Sequence, residues 1–259
     1  MPTTDRTVTV GPEKTALQLG EYGDGDHFVL LLHGGAGPAS VDAFAQKLAA
    51  DPDVKVVVPT HPGFAGADRQ PGVATIADIA ALYDALLDEL EATDAIVIGN
   101  SIGGWIAAEL ALLGNERLGR LVLVDAVGLH VDDHPVADFF ALDFEQLAEL
   151  SYADPERFRI DPSALPPAAQ QAMAASRQAL RDYAGTSMVD ETLARRLPGI
   201  SVPTLVVWGD HDRIVDAEVG RAFASAIPGA RFVLLERTGH LPQLESPDRL
   251  LEALDGFAF

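Results

Sequence analysis

Cysteine is absent from the 259 residues, which removes disulfides and thiolate-held metal centres and fits a reducing compartment. Long apolar runs are missing too: no window offers the roughly 20 uninterrupted apolar residues that a membrane helix needs. The N-terminal MPTTDRTVTV also lacks the apolar stretch of a secretory signal. A cytoplasmic protein with no membrane association is expected. Positive charge is scarce, with 18 Lys and Arg against 39 Asp and Glu, a formal net charge of −21. Binding a phosphate backbone takes clustered cations, so a nucleic-acid partner is disfavoured. The seven histidines show no H-E-x-x-H or similar ligand spacing, so no metal is expected. Repeats and low-complexity tracts are lacking as well.

What remains is material for a large core: 48% hydrophobic and 22% charged residues in a chain of single-domain length with room for an insertion. Apolar runs rich in β-branched residues alternate with helical patterns, the signature of an α/β fold with a mostly parallel sheet covered on both faces. Strands are expected at 7–10, 15–22, 27–32, 54–59, 95–98, 121–124, 204–208 and 231–236. Helices are expected at 41–50, 76–91, 102–113, 216–226 and 247–254. Each run is bounded by Gly, Pro, Asn or Asp. The alternation stops near His130 and resumes at Thr204. Between them lie two helix-like stretches, 139–158 and 166–185, the second opened by a proline pair suited to a first helical turn, with no strand between them. This predicts a core formed by 1–129 and 200–259 and a helical cap, 130–199, inserted over the sheet's carboxyl edge.

Gly99-Asn100-Ser101-Ile102-Gly103 stands directly after the apolar strand and directly before a helix. A strand that turns abruptly into a helix holds its turn residue in a strained conformation and needs small neighbours, and it lifts the Ser101 hydroxyl above the sheet. The Ile102 N–H lies at the helix N-terminus, where unpaired donors favour an oxyanion. A second donor is expected from His33-Gly34-Gly35-Ala36-Gly37-Pro38, with the Gly35 N–H nominated and Ala36 one register away. Among the histidines, His240 follows an apolar strand, FVLLE, in a loop with a glycine neighbour. It is the candidate base. His33 is expected to brace its glycine loop, and His61 to belong to the HPGF turn. For the acid, Asp212 and Asp125 both follow strands. Asp212 gives the chain order Ser, Asp, His and is preferred, while Asp210 is read as a brace of its turn.

Four segments in this order, HGGAGP, GNSIGG, WGDHDRIV and GHLPQLESP, resemble the α/β-hydrolase superfamily across essentially the whole chain. The resemblance implies an eight-stranded, mostly parallel sheet with the cap after strand six, and a nucleophile, acid and base at Ser101, Asp212 and His240. It implies no cofactor. Haloalkane dehalogenases and epoxide hydrolases place Asp where Ser101 stands. Hydrolases of ring-cleavage products share the HGG loop and a G-N-S-M-G-G elbow but carry Trp where this chain has Leu241. Small esterases and perhydrolase-like members are similar in the tail Gly239, His240, Pro242, Glu245, Pro247. The expected substrate is therefore a small carboxylic ester or lactone, with carbon–carbon bond hydrolysis or non-catalytic binding of a small ligand as alternatives. The aromatic and aliphatic side chains of the insertion, Phe140, Phe144 and Leu147 among them, predict an apolar acyl pocket or simple packing of the cap.

Overall fold

The computed structural model describes residues 4–258. The chain opens with two strands, β1 (Thr4–Val10) and β2 (Thr15–Tyr22), followed by β3 (His27–Leu32), α1 (Asp42–Leu48), β4 (Val54–Pro59), α2 (Ile76–Glu89), β5 (Ala95–Asn100), α3 (Ile102–Leu113) and β6 (Leu118–Val124). After β6 come a two-residue strand β7 (Gly128–Leu129), α4 (Phe144–Ser151), α5 (Pro155–Phe158), α6 (Pro167–Ala184), a second two-residue strand β8 (Val189–Asp190) and α7 (Leu193–Arg196). The chain ends with β9 (Thr204–Gly209), α8 (Ala217–Ala226), β10 (Arg231–Leu235), α9 (Pro242–Glu245) and α10 (Pro247–Leu254).

Eight strands form one sheet in the order β1-β2-β4-β3-β5-β6-β9-β10. β2 pairs antiparallel with both β1 and β4, and every pairing from β4 to β10 is parallel. Buried parallel strands carry apolar side chains on both faces. Leu30, Leu32, Val206 and Trp208 point into a core completed by α2, α3 and α8. Their neighbours Val29, Leu31, Leu205 and Val207 point the other way, into a core completed by α1 and α10. The chain runs outward from β3 to β4 and then returns to the other side of β3 as β5. This reversal opens a crevice at the carboxyl ends of β3 and β5, where ligands of open α/β sheets bind.

Two sequence expectations need correction. The strands resume before Thr204, because β7 pairs with β8 in parallel, Gly128 opposite Val189 and Leu129 opposite Asp190, while no strand lies between the two helix-like stretches. Two residues carry no periodicity to read. The stretch 139–158 is also not one helix. Asp143 caps α4 in a reciprocal capping box with Gln146, so the helix starts only at Phe144, and Pro155 opens the separate α5. Phe144 itself is 46% exposed, so it faces solvent instead of the core. Leu147 is buried.

Candidate active site

The tight turn between β5 and α3 fixes Ser101. Its backbone has φ 57° and ψ −118°, a region that L-residues rarely adopt. Only glycine permits the crossing. A Cβ on Gly99 would lie 2.1 Å from the Gly103 carbonyl oxygen, and one on Gly103 would lie 2.3 Å from the Leu32 carbonyl oxygen. The second contact presses the first turn of α3 against the end of β3, so the loop that follows β3 lies beside the serine.

From the loop after β10, His240 reaches Ser101 with its Nε2 2.9 Å from the serine Oγ. On the other side of the ring, Nδ1 lies 2.7 Å from Asp212 Oδ2. The remaining oxygen of Asp212 accepts the Ile214 and Val215 N–H groups at 2.8 and 3.1 Å. A carboxylate that accepts three N–H donors in a buried setting is fixed in orientation, and it fixes the imidazole in turn. Nδ1–H donating to Asp212 leaves Nε2 bare toward the serine hydroxyl, the tautomer that can accept its proton. All three groups leave parallel strands at the same edge, so the sheet brings together residues 139 and 28 positions apart.

The other candidates sort around this relay. Asp210 accepts the Thr238 N–H at 3.2 Å and pairs with His211, the bracing role read from its place in the turn. Asp125 lies within the same group, one oxygen each from Asp125 and Asp212 and one nitrogen of His240 standing within 4.8 Å of one another. Two carboxylates and an imidazole could in principle hold a cation, but the nitrogen facing the carboxylates is already engaged by Asp212. Among the described residues, the N–H groups of Gly35 and Ile102 donate to no backbone acceptor. Leu180 of α6 covers the Gly35 position, and the Trp105 ring packs against Gly128.

The glycine-rich loop after β3 rests on a buried histidine pair. The His33 and His61 rings stack with centroids 3.7 Å apart. His33 Nδ1–H donates to the Gly34 carbonyl at 2.7 Å, and its Nε2 accepts the His61 backbone N–H at 3.1 Å. His61 Nε2–H donates to the His33 carbonyl at 2.8 Å, and its Nδ1 accepts the Tyr83 hydroxyl at 2.5 Å. Every ring nitrogen is satisfied with both rings neutral. Full burial lowers the pKa of His33 to about 4. Burial, followed by the proximity of His33, puts that of His61 well below the usual imidazole range.

These shifts set an acid sensitivity. The unfolded chain protonates both rings below about pH 6.5 while the folded chain does not, so stability is full above that pH and is lost as pH falls toward 4. Each ring contributes a slope of up to about 1.4 kcal/mol per pH unit. The melting temperature is expected to drop steadily between pH 7 and 4.5. A flat profile over this range would contradict the neutral stacked pair.

Several residues hold the site through partners that their motifs do not reveal. Asn100, beside the serine, donates from Nδ2 to the carbonyl oxygens of Val124 at 3.2 Å and His240 at 3.0 Å, and Oδ1 accepts Gln243 Nε2 at 3.1 Å. Glu245 accepts the N–H groups of Ala153, Asp154 and Gly239 at 2.8, 3.0 and 2.5 Å. The end of α4 contributes carbonyls: Ser151 accepts the His240 N–H at 2.7 Å and Leu150 the Arg213 N–H at 3.0 Å. Glu245 had surfaced only as part of the tail motif, and the partners of all these groups lie too far along the chain to be paired from spacing.

A serine, an imidazole and a carboxylate joined in one hydrogen-bonded line above the carboxyl edge of a doubly wound sheet define an α/β protein with a hydrolase-type site. The chain belongs to the alpha/beta hydrolase family, whose profile matches residues 29–253. It is 28% identical to a 2-hydroxy-6-oxononadienedioate/2-hydroxy-6-oxononatrienedioate hydrolase of Paraburkholderia phymatum, over 96% of this chain and 93% of that one. It is also 28% identical to the 2-hydroxymuconate semialdehyde hydrolase of Pseudomonas putida, over 91% and 89%. Among solved structures, a thermophilic esterase from Thermogutta terrifontis is similar with a TM-score of 0.74 and 25% identity, covering 97% of each chain. Among the described residues, no helix is long and apolar enough to cross a membrane.

Proposed function

We propose that the protein hydrolyses a small-molecule carbonyl compound through a covalent acyl intermediate on Ser101, with His240 as general base and acid and Asp212 as its orienting carboxylate. The observation that carries this reading is the continuous line from Asp212 Oδ2 through His240 to Ser101 Oγ, at 2.7 and 2.9 Å. His240 takes the serine proton as Oγ attacks, and the N–H groups of Ile102 and Gly35 receive the oxyanion. His240 then protonates the leaving group, and a water activated by the same ring releases the acid.

For the substrate we place first the cleavage of a carbon–carbon bond in a 2-hydroxy-6-oxo-dienoate. The relatives that align over nine-tenths of the chain are named for such compounds. The ketone at C6 is the point of attack. In the keto tautomer, carrying its proton at C5, rupture of the C5–C6 bond sends the electron pair along the conjugated chain to the C2 oxygen, so the departing carbon leaves as a stabilised dienolate. Such a substrate carries a carboxylate at C1. The segment 130–199 acts in this reading as a cap over the substrate.

Carboxylic ester or lactone hydrolysis is the second reading. It is favoured by Leu241 after the base and by the likeness to an esterase over the full chain. The two are separated by comparing kcat/KM for 2-hydroxy-6-oxo-dienoates with that for aryl esters and lactones of two to six acyl carbons. The first reading expects the dienoates to lead by about 100-fold or more, the discrimination a site built for specific polar groups achieves. A lead of the esters would transfer the assignment to the second.

A further inference from the structure

Asp125 follows β6 directly and is held at φ 46°, with its side chain wholly buried. Its Oδ1 accepts the Gly209 N–H at 2.8 Å. Its Oδ2 is sealed from solvent with no donor facing it, the one carboxylate oxygen so left among the described residues. Buried polar atoms in native structures have partners, so an orphan of this kind calls for an explanation. Asp212 is the neighbour that supplies one, because one oxygen of each carboxyl group stands within 4.8 Å of the other in the cluster they share with His240. Asp212 already receives three N–H donors, those of Ile214, Val215 and the His240 ring. Asp125 receives one. Two carboxyl groups in contact inside a protein cannot both stay ionised, and the group with fewer donors keeps the proton.

We propose that Asp125 is a neutral carboxylic acid in the folded protein and donates its Oδ2–H to the Asp212 carboxylate, acting as a positioning residue behind the base. The relay then has four members: the Asp125 hydroxyl donates to Asp212, Asp212 accepts the His240 Nδ1–H, and Nε2 faces Ser101. Burial first, then the negative charge of Asp212, drive the Asp125 carboxyl far above the ordinary carboxylate range. Glu245 of α9 adds to this, and the Gly209 N–H opposes it. His240 and the Ser101 hydroxyl complete the titratable and reactive groups around the pair. The donated hydrogen bond spreads the charge of Asp212 and helps to fix the carboxylate that orients the imidazole.

The proton leaves a thermodynamic trace that does not depend on catalysis. Above the pKa of an unfolded aspartate, the chain takes up a proton at Asp125 on folding, so this residue's contribution to stability falls as pH rises. Asp125→Asn keeps the acceptor for Gly209 and supplies a neutral N–H donor to Asp212, without the uptake. The ratio of its folding constant to that of the wild type, measured by denaturant titration, is expected to grow up to about tenfold per pH unit between pH 5 and 8. A pH-independent ratio would overturn the assignment. Wild-type protein with carbon-13-labelled aspartate provides a reading that needs no variant at this position: a protonated-carboxyl stretch in the infrared at pH 7, absent if every aspartate is ionised.

The activity arm rests on the triad reading, whereas the protonation arms are read equally well in Ser101→Ala protein. Asp125→Ala is expected to lower kcat by about 10- to 100-fold, the worth of a hydrogen bond to a charged group, with KM little changed and the acidic limb of the kcat/KM profile displaced. Asp125→Asn should restore most of the loss and the wild-type limb. Equal damage from both variants would show that an ionised carboxylate is required and would refute the neutral donor.

Discussion

Ser101→Ala is expected to lower turnover by about a million-fold while leaving the fold and substrate affinity intact, because the hydroxyl is the only atom removed. Alanine tolerates the turn about as well as serine does, since the strain at φ 57° is met by the packing of Gly99 and Gly103 and not by the side chain. His240 then faces a methyl group and has no proton to take. What survives is the oxyanion site and substrate binding, which together retain a residual rate above that in water. Fluorophosphonate labelling gives the same answer without a substrate: the wild-type protein is labelled and the variant is not. A wild-type protein that resists labelling and turns nothing over would return the chain to the class of non-catalytic ligand-binding proteins, and a variant that keeps a tenth of its turnover would remove Ser101 as the nucleophile.

Asp212→Asn carries the second large effect, a fall of about ten-thousandfold in kcat with KM little altered. The amide is the same shape as the carboxylate, and its oxygen is held in place by the Ile214 and Val215 N–H groups. Its NH2 is therefore turned toward His240. A donor at that position drives the imidazole proton to Nε2, where it meets the serine hydroxyl and cannot accept from it. The loss is one of tautomer and charge, not of geometry, so the thermal stability of the variant should stay close to that of the wild type. A decrease of less than tenfold in kcat would show that another carboxylate orients the base.

Much of this arrangement could be read from the residues alone, and the reasons are local. β2, β3, β4 and α3 run between the residues expected, because apolar β-branched runs and one strongly apolar helix are bounded by Gly, Pro, Asn and Ser. β6 starts three residues earlier than expected, at Leu118, because Gly119 and Arg120 dilute its pattern. Ser101, Asp212 and His240 were legible since each follows a strand, and parallel strands deliver their loops to one edge. The groups that hold those three were not. Asn100 meets the His240 carbonyl across 140 residues, and Glu245 meets Ala153 across 92. Nothing in the spacing of such pairs distinguishes a partner from any other polar residue, and the neutral state of Asp125 depends on counting donors around two carboxyl groups at once.

The carbonyls at the end of α4 and the N–H groups that follow it have a consequence for anyone reshaping this protein. Leu150 and Ser151 grip the loops bearing Asp212 and His240, and Glu245 clasps Ala153 and Asp154 to Gly239. This half of the insertion is a splint for the base. The other half, α6, touches the segment after β4 through Ser176 at the Ala65 N–H and through the exposed ion pair of Arg69 with Asp182. Shortening the insertion to admit bulkier molecules should therefore spare residues 150–154, because cutting there would unseat the imidazole and enlarge nothing useful.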